Sequence, residues 1–106
     1  MIKVNIVKEK SKYKKITILG HAMYDDYGKD IVCAAVSMLL TNTANSIEQF
    51  TSSFAGAEAE DGTFSLVLKN PIDDKAKLLI DSMILGLNSI QSEYGKNYLT
   101  IDKREV

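Results

Sequence analysis

Two stretches of this chain repeat their apolar residues at helical spacing, and the change of period between them and their neighbours limits the folds open to it. From Asp30 onward Ile31, Val32, Ala35, Val36, Leu39 and Leu40 recur every three to four residues, and Ala44 and Ile47 continue the face. This predicts a helix over residues 30–49. Ala76, Ile80, Met83, Leu87, Ile90 and Tyr94 repeat the pattern. Asn70 is placed to cap that second helix, Pro71 to occupy its first position and Gly95 to end it. The remaining segments read as strands. Ile2, Val4 and Ile6 alternate with Lys3 and Asn5, and Ile16–Leu19 follows a lysine-rich turn. Phe54–Glu60 and Thr63–Lys69 are joined around Glu60, Asp61 and Gly62, where Asp-Gly supplies the positive φ of a tight turn; Phe64, Leu66 and Leu68 then share a face. Tyr98–Ile101 closes the chain's pattern. The order ββαββαβ predicts an α+β fold, one domain over residues 1–106, with two helices packed with small β-sheets. Sheet order cannot be read from it. Gly86, inside the second helix, points to the close approach of another backbone, within the chain or across a dimer.

At 106 residues, 45% hydrophobic and 25% charged, the chain is the size and composition of one ordinary globular domain. Its single cysteine excludes an internal disulfide and points to the reducing cytoplasm. The basic start MIKVNIVKEKSKYKK is not followed by an apolar segment of the roughly 7–15 residues an export signal needs. The longest mostly apolar run, IVCAAVSMLL, is about half the ~20 residues that cross a bilayer, so no membrane association is expected. Basic and acidic groups nearly balance, 13 against 14, but residues 1–20 hold six lysines and one glutamate. That turn either meets phosphate through Lys8, Lys10, Lys12, Lys14 and Lys15 or is a solvated hairpin tip.

Chemistry concentrates between residues 20 and 37, GHAMYDDYGKDIVCAAVS, which holds the only histidine and the only cysteine. Near a helix N-terminus or beside a histidine a thiolate is stabilised, and Cys33 at the third helical position after an Asp30 cap has access to both. His21, twelve residues earlier at a strand end, can turn back to take the thiol proton and return it to a leaving amine, the chemistry of amide hydrolysis. The competing reading is a packed cysteine and a surface histidine. Asp30, Cys33, Ser37 and Thr41 favour the site, since they form one polar stripe on an otherwise apolar helix. Asp30 either caps the helix or orients His21, and its charge opposes a thiolate nearby. Ser37 either bonds the carbonyl four residues back or lines the site. One histidine and one cysteine cannot supply a metal's soft ligands, and no nucleotide fingerprint is present, so no cofactor is expected.

Gly20-His21-Ala22, Tyr27-Gly28 and Asp30-Ile31-Val32-Cys33-Ala34-Ala35-Val36-Ser37 together resemble the signature of the ribosomal-processing cysteine proteases, the Prp family. The resemblance extends over essentially the whole chain, with the diagnostic part in these 18 residues. It implies His21 and Cys33 as the catalytic pair, with Asp30 and Ser37 at further signature positions. It implies a bacterial endopeptidase that removes a short N-terminal extension from a large-subunit ribosomal protein and so supports ribosome assembly. It implies a homodimer, and a mobile loop, here residues 22–28, that orders on substrate. In the family a small residue, often glycine, follows the histidine-alanine pair, whereas here it is Met23. Met23, Tyr24, Tyr27 and Gly28 are the candidate substrate loop, with the tyrosines stacking on apolar residues before the cleaved bond. Two alternatives compete with this reading: a non-catalytic ribosome-associated factor contacting RNA through the lysine-rich turn, and a redox-sensing thiol.

Overall fold

A computed structural model describes residues 1–26 and 29–106 of the chain. The elements run β1 Ile2–Glu9, β2 Lys12–Leu19, α1 Ile31–Phe50, β3 Phe54–Glu60, β4 Thr63–Leu68, α2 Asp74–Tyr94 and β5 Leu99–Glu105. All five strands join one sheet in the order β3-β4-β2-β1-β5, antiparallel except for the parallel pairing of β1 with β5. The alternation of β1 explains its place near the middle. Val4 and Ile6 pair with Ile18 and Ile16 of β2, which pair in turn with Phe64 and Leu66 of β4. Successive strand side chains point to opposite faces, so this register puts a continuous apolar layer on one side and Lys3 and Lys15 on the other.

Both helices cover the apolar layer. α1 buries Val32, Val36, Leu40, Ala44 and Ile47, and α2 buries Ala76, Ile80, Met83, Ile84 and Leu87. Each large apolar side chain taken fully from water contributes about 1.5–3 kcal/mol. Ile31, read as part of this face, instead points outward and is exposed, because the buried stripe begins one residue later at Val32. The approach at Gly86 is between the two helices of one chain and involves a side chain rather than a backbone. A Cβ there would lie 2.8 Å from Cδ2 and 3.2 Å from Cδ1 of Leu39.

The start of α2 differs from the sequence expectation. Neither Asn70 nor Pro71 begins the helix; Asp73 caps it, accepting from the N–H of Ala76 at 2.8 Å. Asp73 wins because the segment after α1 also holds it: Ser52 donates to its carboxylate through N and Oγ, both at 3.1 Å, and Ser53 Oγ accepts from its N–H at 2.9 Å. These bonds keep its carboxyl below the usual range. Gly95 ends α2 as expected, its N–H bonded to the carbonyl of Gln91.

The lysine-rich segment forms the β1–β2 tip, with Lys10 and Ser11 at positive φ. Lys14 pairs with Glu9 at 2.8 Å, Lys8 lies over the Tyr13 ring, and Ser11 N–H bonds Glu105. The opposite end of the same strands carries Met1, Gly20 and the β3–β4 turn, because Leu19 pairs with Lys3 on one side and with Thr63 on the other. At about 3.3 Å per residue, eight-residue strands put the two ends on the order of 25 Å apart. Among the described residues no helix is long and apolar enough to cross a membrane.

Candidate active site

The sheet end opposite the lysines is where the chemistry-bearing residues meet. Gly20 leaves β2 with φ +92, a conformation that favours glycine, and a side chain there would collide with the carbonyl oxygen of Met1. Its N–H donates to the Gly62 carbonyl at 2.7 Å, so the strand end and the β3–β4 turn are tied together. His21 follows, its own carbonyl accepting from the amino group of Met1 at 2.5 Å. Ala22 is fully buried, and its backbone N–H donates to Cys33 Sγ at 3.1 Å.

Cys33 lies in the first turn of α1, and Asp30 is the cap. Asp30 Oδ1 accepts from the Cys33 N–H at 3.0 Å, while Oδ2 accepts from the N–H of Tyr24 at 2.9 Å and faces that of Asp25 at 3.5 Å. Burial pushes the Asp30 carboxyl up, but these backbone bonds outweigh it and hold it below the ordinary carboxylate range. The Cys33 thiol is shifted the other way from the sequence expectation. Burial raises it first; the Ala22 N–H favours the thiolate, but the Asp30 charge and its bond to the thiol oppose it, and the net shift is upward. The carboxylate that completes the helix cap therefore offsets the help a helix N-terminus gives a thiolate.

His21, Cys33 and Ser37 stand between two clefts and line both. On the hairpin side a cleft of about 350 Å³ has Ile2, Ile18, Val36, Leu40 and Phe64 in its walls and Glu60, Asp61 and Gly62 at the β3–β4 turn. On the loop side a second, of about 410 Å³, adds Met23, Asp25, Asp30 and Ala34. The polar stripe of α1 faces these spaces, with Cys33, Ser37 and Thr41 all in the first.

The sequence profile described as cysteine protease Prp matches residues 1–99. The chain belongs to this family. The ribosomal processing cysteine protease Prp of Staphylococcus aureus is 34% identical to it over 100 residues, covering 92% of this chain and 94% of that protein. The crystal structure of an essential ribosomal processing protease Prp from S. aureus in complex with a covalently linked product peptide superimposes with a TM-score of 0.89. It is 31% identical, covering 98% of this chain and 100% of that one. A second S. aureus Prp structure, with a substrate peptide, gives 0.84 at 29% identity over 98% and 100% of the two chains.

Against the Prp frame, the loop residues take distinct places. Met23 adopts φ +61 and is well exposed. This left-handed backbone favours glycine, since a side chain there costs on the order of 1 kcal/mol. Tyr24 turns from the clefts and packs edge-on against Tyr94, 5.3 Å between ring centroids, and Tyr98, 5.1 Å. Tyr27 and Gly28 lie outside the described residues. Three contributors were invisible in the sequence: the Ala22 N–H on the sulfur, Asp61, and Gly62 against the imidazole. Only the Asp-Gly turn signal marked the last two, and nothing in it said which strand end the turn would meet.

Proposed function

We propose that this protein is a cysteine endopeptidase that removes the N-terminal extension of a bacterial large-subunit ribosomal protein, with Cys33 as nucleophile and His21 as general base. The observation that carries this is that the only histidine and the only cysteine line the same two clefts at one end of the sheet. A Prp relative that holds a covalently linked product peptide supports it, since a covalent acyl-enzyme is what a cysteine nucleophile forms.

In this reading a peptide lies across the clefts with its scissile bond over Cys33. The imidazole of His21 takes the thiol proton and the sulfur bonds the carbonyl carbon. Collapse breaks the C–N bond, the imidazolium hands its proton to the leaving amine, and the N-terminal fragment stays on Sγ as a thioester. Water, deprotonated by the same imidazole, then releases it as the acid. The raised thiol makes proton removal a necessary step in the substrate-free geometry. Ala22 N–H is the backbone donor brought to the sulfur, while those of Cys33 and Ala34 are committed to Asp30. The apolar walls formed by Ile2, Ile18, Val36, Leu40 and Phe64 suit the apolar residues before the cleaved bond. Ser37 borders the pair, and Asp30 holds both the helix start and the loop at Tyr24.

The protein acts as a single domain, in the cytoplasm where ribosomes assemble and a lone thiol stays reduced. We place it as a homodimer, supported by outward Met38, Leu78 and Leu85, each more than three-fifths exposed. Incubation with a synthetic extension peptide tests the reading. The parent cleaves it, and Cys33→Ala and His21→Ala lose at least a hundredfold in rate; equal rates in either variant reject the assignment.

A further inference from the structure

A histidine base needs a group that orients its ring, and the helix cap is committed elsewhere. Both oxygens of Asp30 are committed to backbone N–H groups, those of Cys33 and Tyr24. On the other side of His21 stands the β3–β4 turn. Asp61 Oδ1 lies 3.5 Å from His21 Nε2, and a Cβ on Gly62 would come within 3.2 Å of the same nitrogen. Gly62 has φ +74, so this position both needs glycine's backbone freedom and leaves the ring its room. The turn cannot drift from the strand end, because the Gly62 carbonyl accepts from the Gly20 N–H at 2.7 Å, one residue before the histidine.

We propose that Asp61 is the positioning residue of His21, bonding Nε2–H and thereby assigning Nδ1 the exchange of the proton with Cys33. The inference rests on the Cys33 and His21 reading. Its chemistry is that of any histidine base held by a third group: the carboxylate fixes one tautomer and one ring orientation, and the opposite nitrogen is presented to the nucleophile. At 3.5 Å the pair is long for a hydrogen bond, as such contacts often are before substrate closes the site. Among the described residues, Glu60 borders the hairpin cleft, Asp25 and Asp30 the loop cleft, and the Met1 amino group donates to the His21 carbonyl, whereas the Asp61 carboxylate lies within 3.5 Å of the ring nitrogen. Asp61 acts through His21 and does not itself touch the reacting atoms.

The test uses Asp61→Ala and Asp61→Asn in the full chain beside His21→Ala, with peptide cleavage and nitrogen NMR of the imidazole. With one histidine in the chain, the tautomer is read from a single spin system. Asp61→Ala is expected to lower kcat roughly threefold to fivefold, the scale of an exposed ion pair, with KM within about twofold. The Nε2–H tautomer is expected to lose population in the same variant. Asp61→Asn, which keeps an acceptor oxygen, restores most of kcat and of the tautomer. An unchanged kcat, a rise in KM alone, or a tautomer indifferent to Asp61→Ala overturns the assignment and leaves the catalytic pair standing. Full activity in His21→Ala removes the pair itself, a separate result.

Discussion

Asp30 does two things that a single atom exchange separates. In Asp30→Asn the amide oxygen can still accept from the Cys33 N–H, and asparagine caps as well as aspartate, so α1 keeps its start. The second oxygen becomes an NH2 group facing the N–H of Tyr24, and the 2.9 Å bond that ties the loop to the helix is lost. A lost bond of this kind costs about 1 kcal/mol, less where water reaches the freed group. The negative charge beside the thiol disappears as well. Two unit charges about 4 Å apart interact by about 1 kcal/mol in water and about 4 kcal/mol near a protein surface. Cys33 is only partly buried, so the lower part of that range applies, and the thiol pKa is expected to fall. The rate of iodoacetamide alkylation against pH reads this directly, because the chain has one cysteine. Thermal unfolding of the same sample reads the cap. An alkylation midpoint that stays put or rises, with stability retained, would show that the carboxylate does not act on Cys33. The parent's pH dependence has a definite sign too. Asp30 is held below its unfolded value, so its stabilisation is complete above the ordinary ~3.9 and fades as pH falls through the lower folded value.

Other substitutions probe the frame around the site. Met23→Gly relieves a left-handed backbone at φ +61 and is expected to raise stability by about 0.5 kcal/mol in urea unfolding; a loss would mean that the Met23 side chain contributes packing. Gly86→Ala adds about 1 kcal/mol of helix propensity but brings a methyl against Leu39, an overpacking of about 1–3 kcal/mol, so the net change is neutral to destabilising. In a Leu39→Ala background the same change becomes stabilising by about 1 kcal/mol, and an equal effect in both backgrounds would refute the contact. Tyr13→Phe removes the bond from Tyr13 Oη to Asp81 Oδ1, 2.5 Å long, leaving Asp81 to Lys77 at 2.7 Å. A stability loss of about 1–2 kcal/mol with unchanged peptide cleavage is expected, and a cleavage defect would contradict the separation of that network from the site.

Where local chemistry decides, the sequence was sufficient. Asp30 caps α1 because its carboxylate reaches the third N–H after it, a relation contained within four residues. The Asp61-Gly62 turn and the end of α2 at Gly95 were legible on the same ground. The start of α2 was not, because Asp73 takes its advantage over Asn70 from Ser52 and Ser53, some twenty residues away. The same limit hid part of the site. His21 and Cys33 are marked by residue type and spacing, but Asp61 reaches the imidazole only because β4 pairs with β2 and carries the turn to the end of Leu19, and sheet order is a non-local property. The thiol expectation failed first because packing of the helix start takes Cys33 partly out of water, and second because the group that completes the cap carries a charge that opposes the thiolate.

In the proposed mechanism the acyl half of a cleaved peptide passes through Cys33 as a thioester, which can be seen directly. Acid quench of the parent protein during turnover of the extension peptide, followed by digestion and mass measurement, is expected to show the N-terminal fragment's acyl mass on the peptide containing Cys33. The adduct is absent in Cys33→Ala and accumulates at least a hundredfold more slowly in His21→Ala. Cleavage that persists in Cys33→Ala, or an adduct on any other residue, would contradict the account.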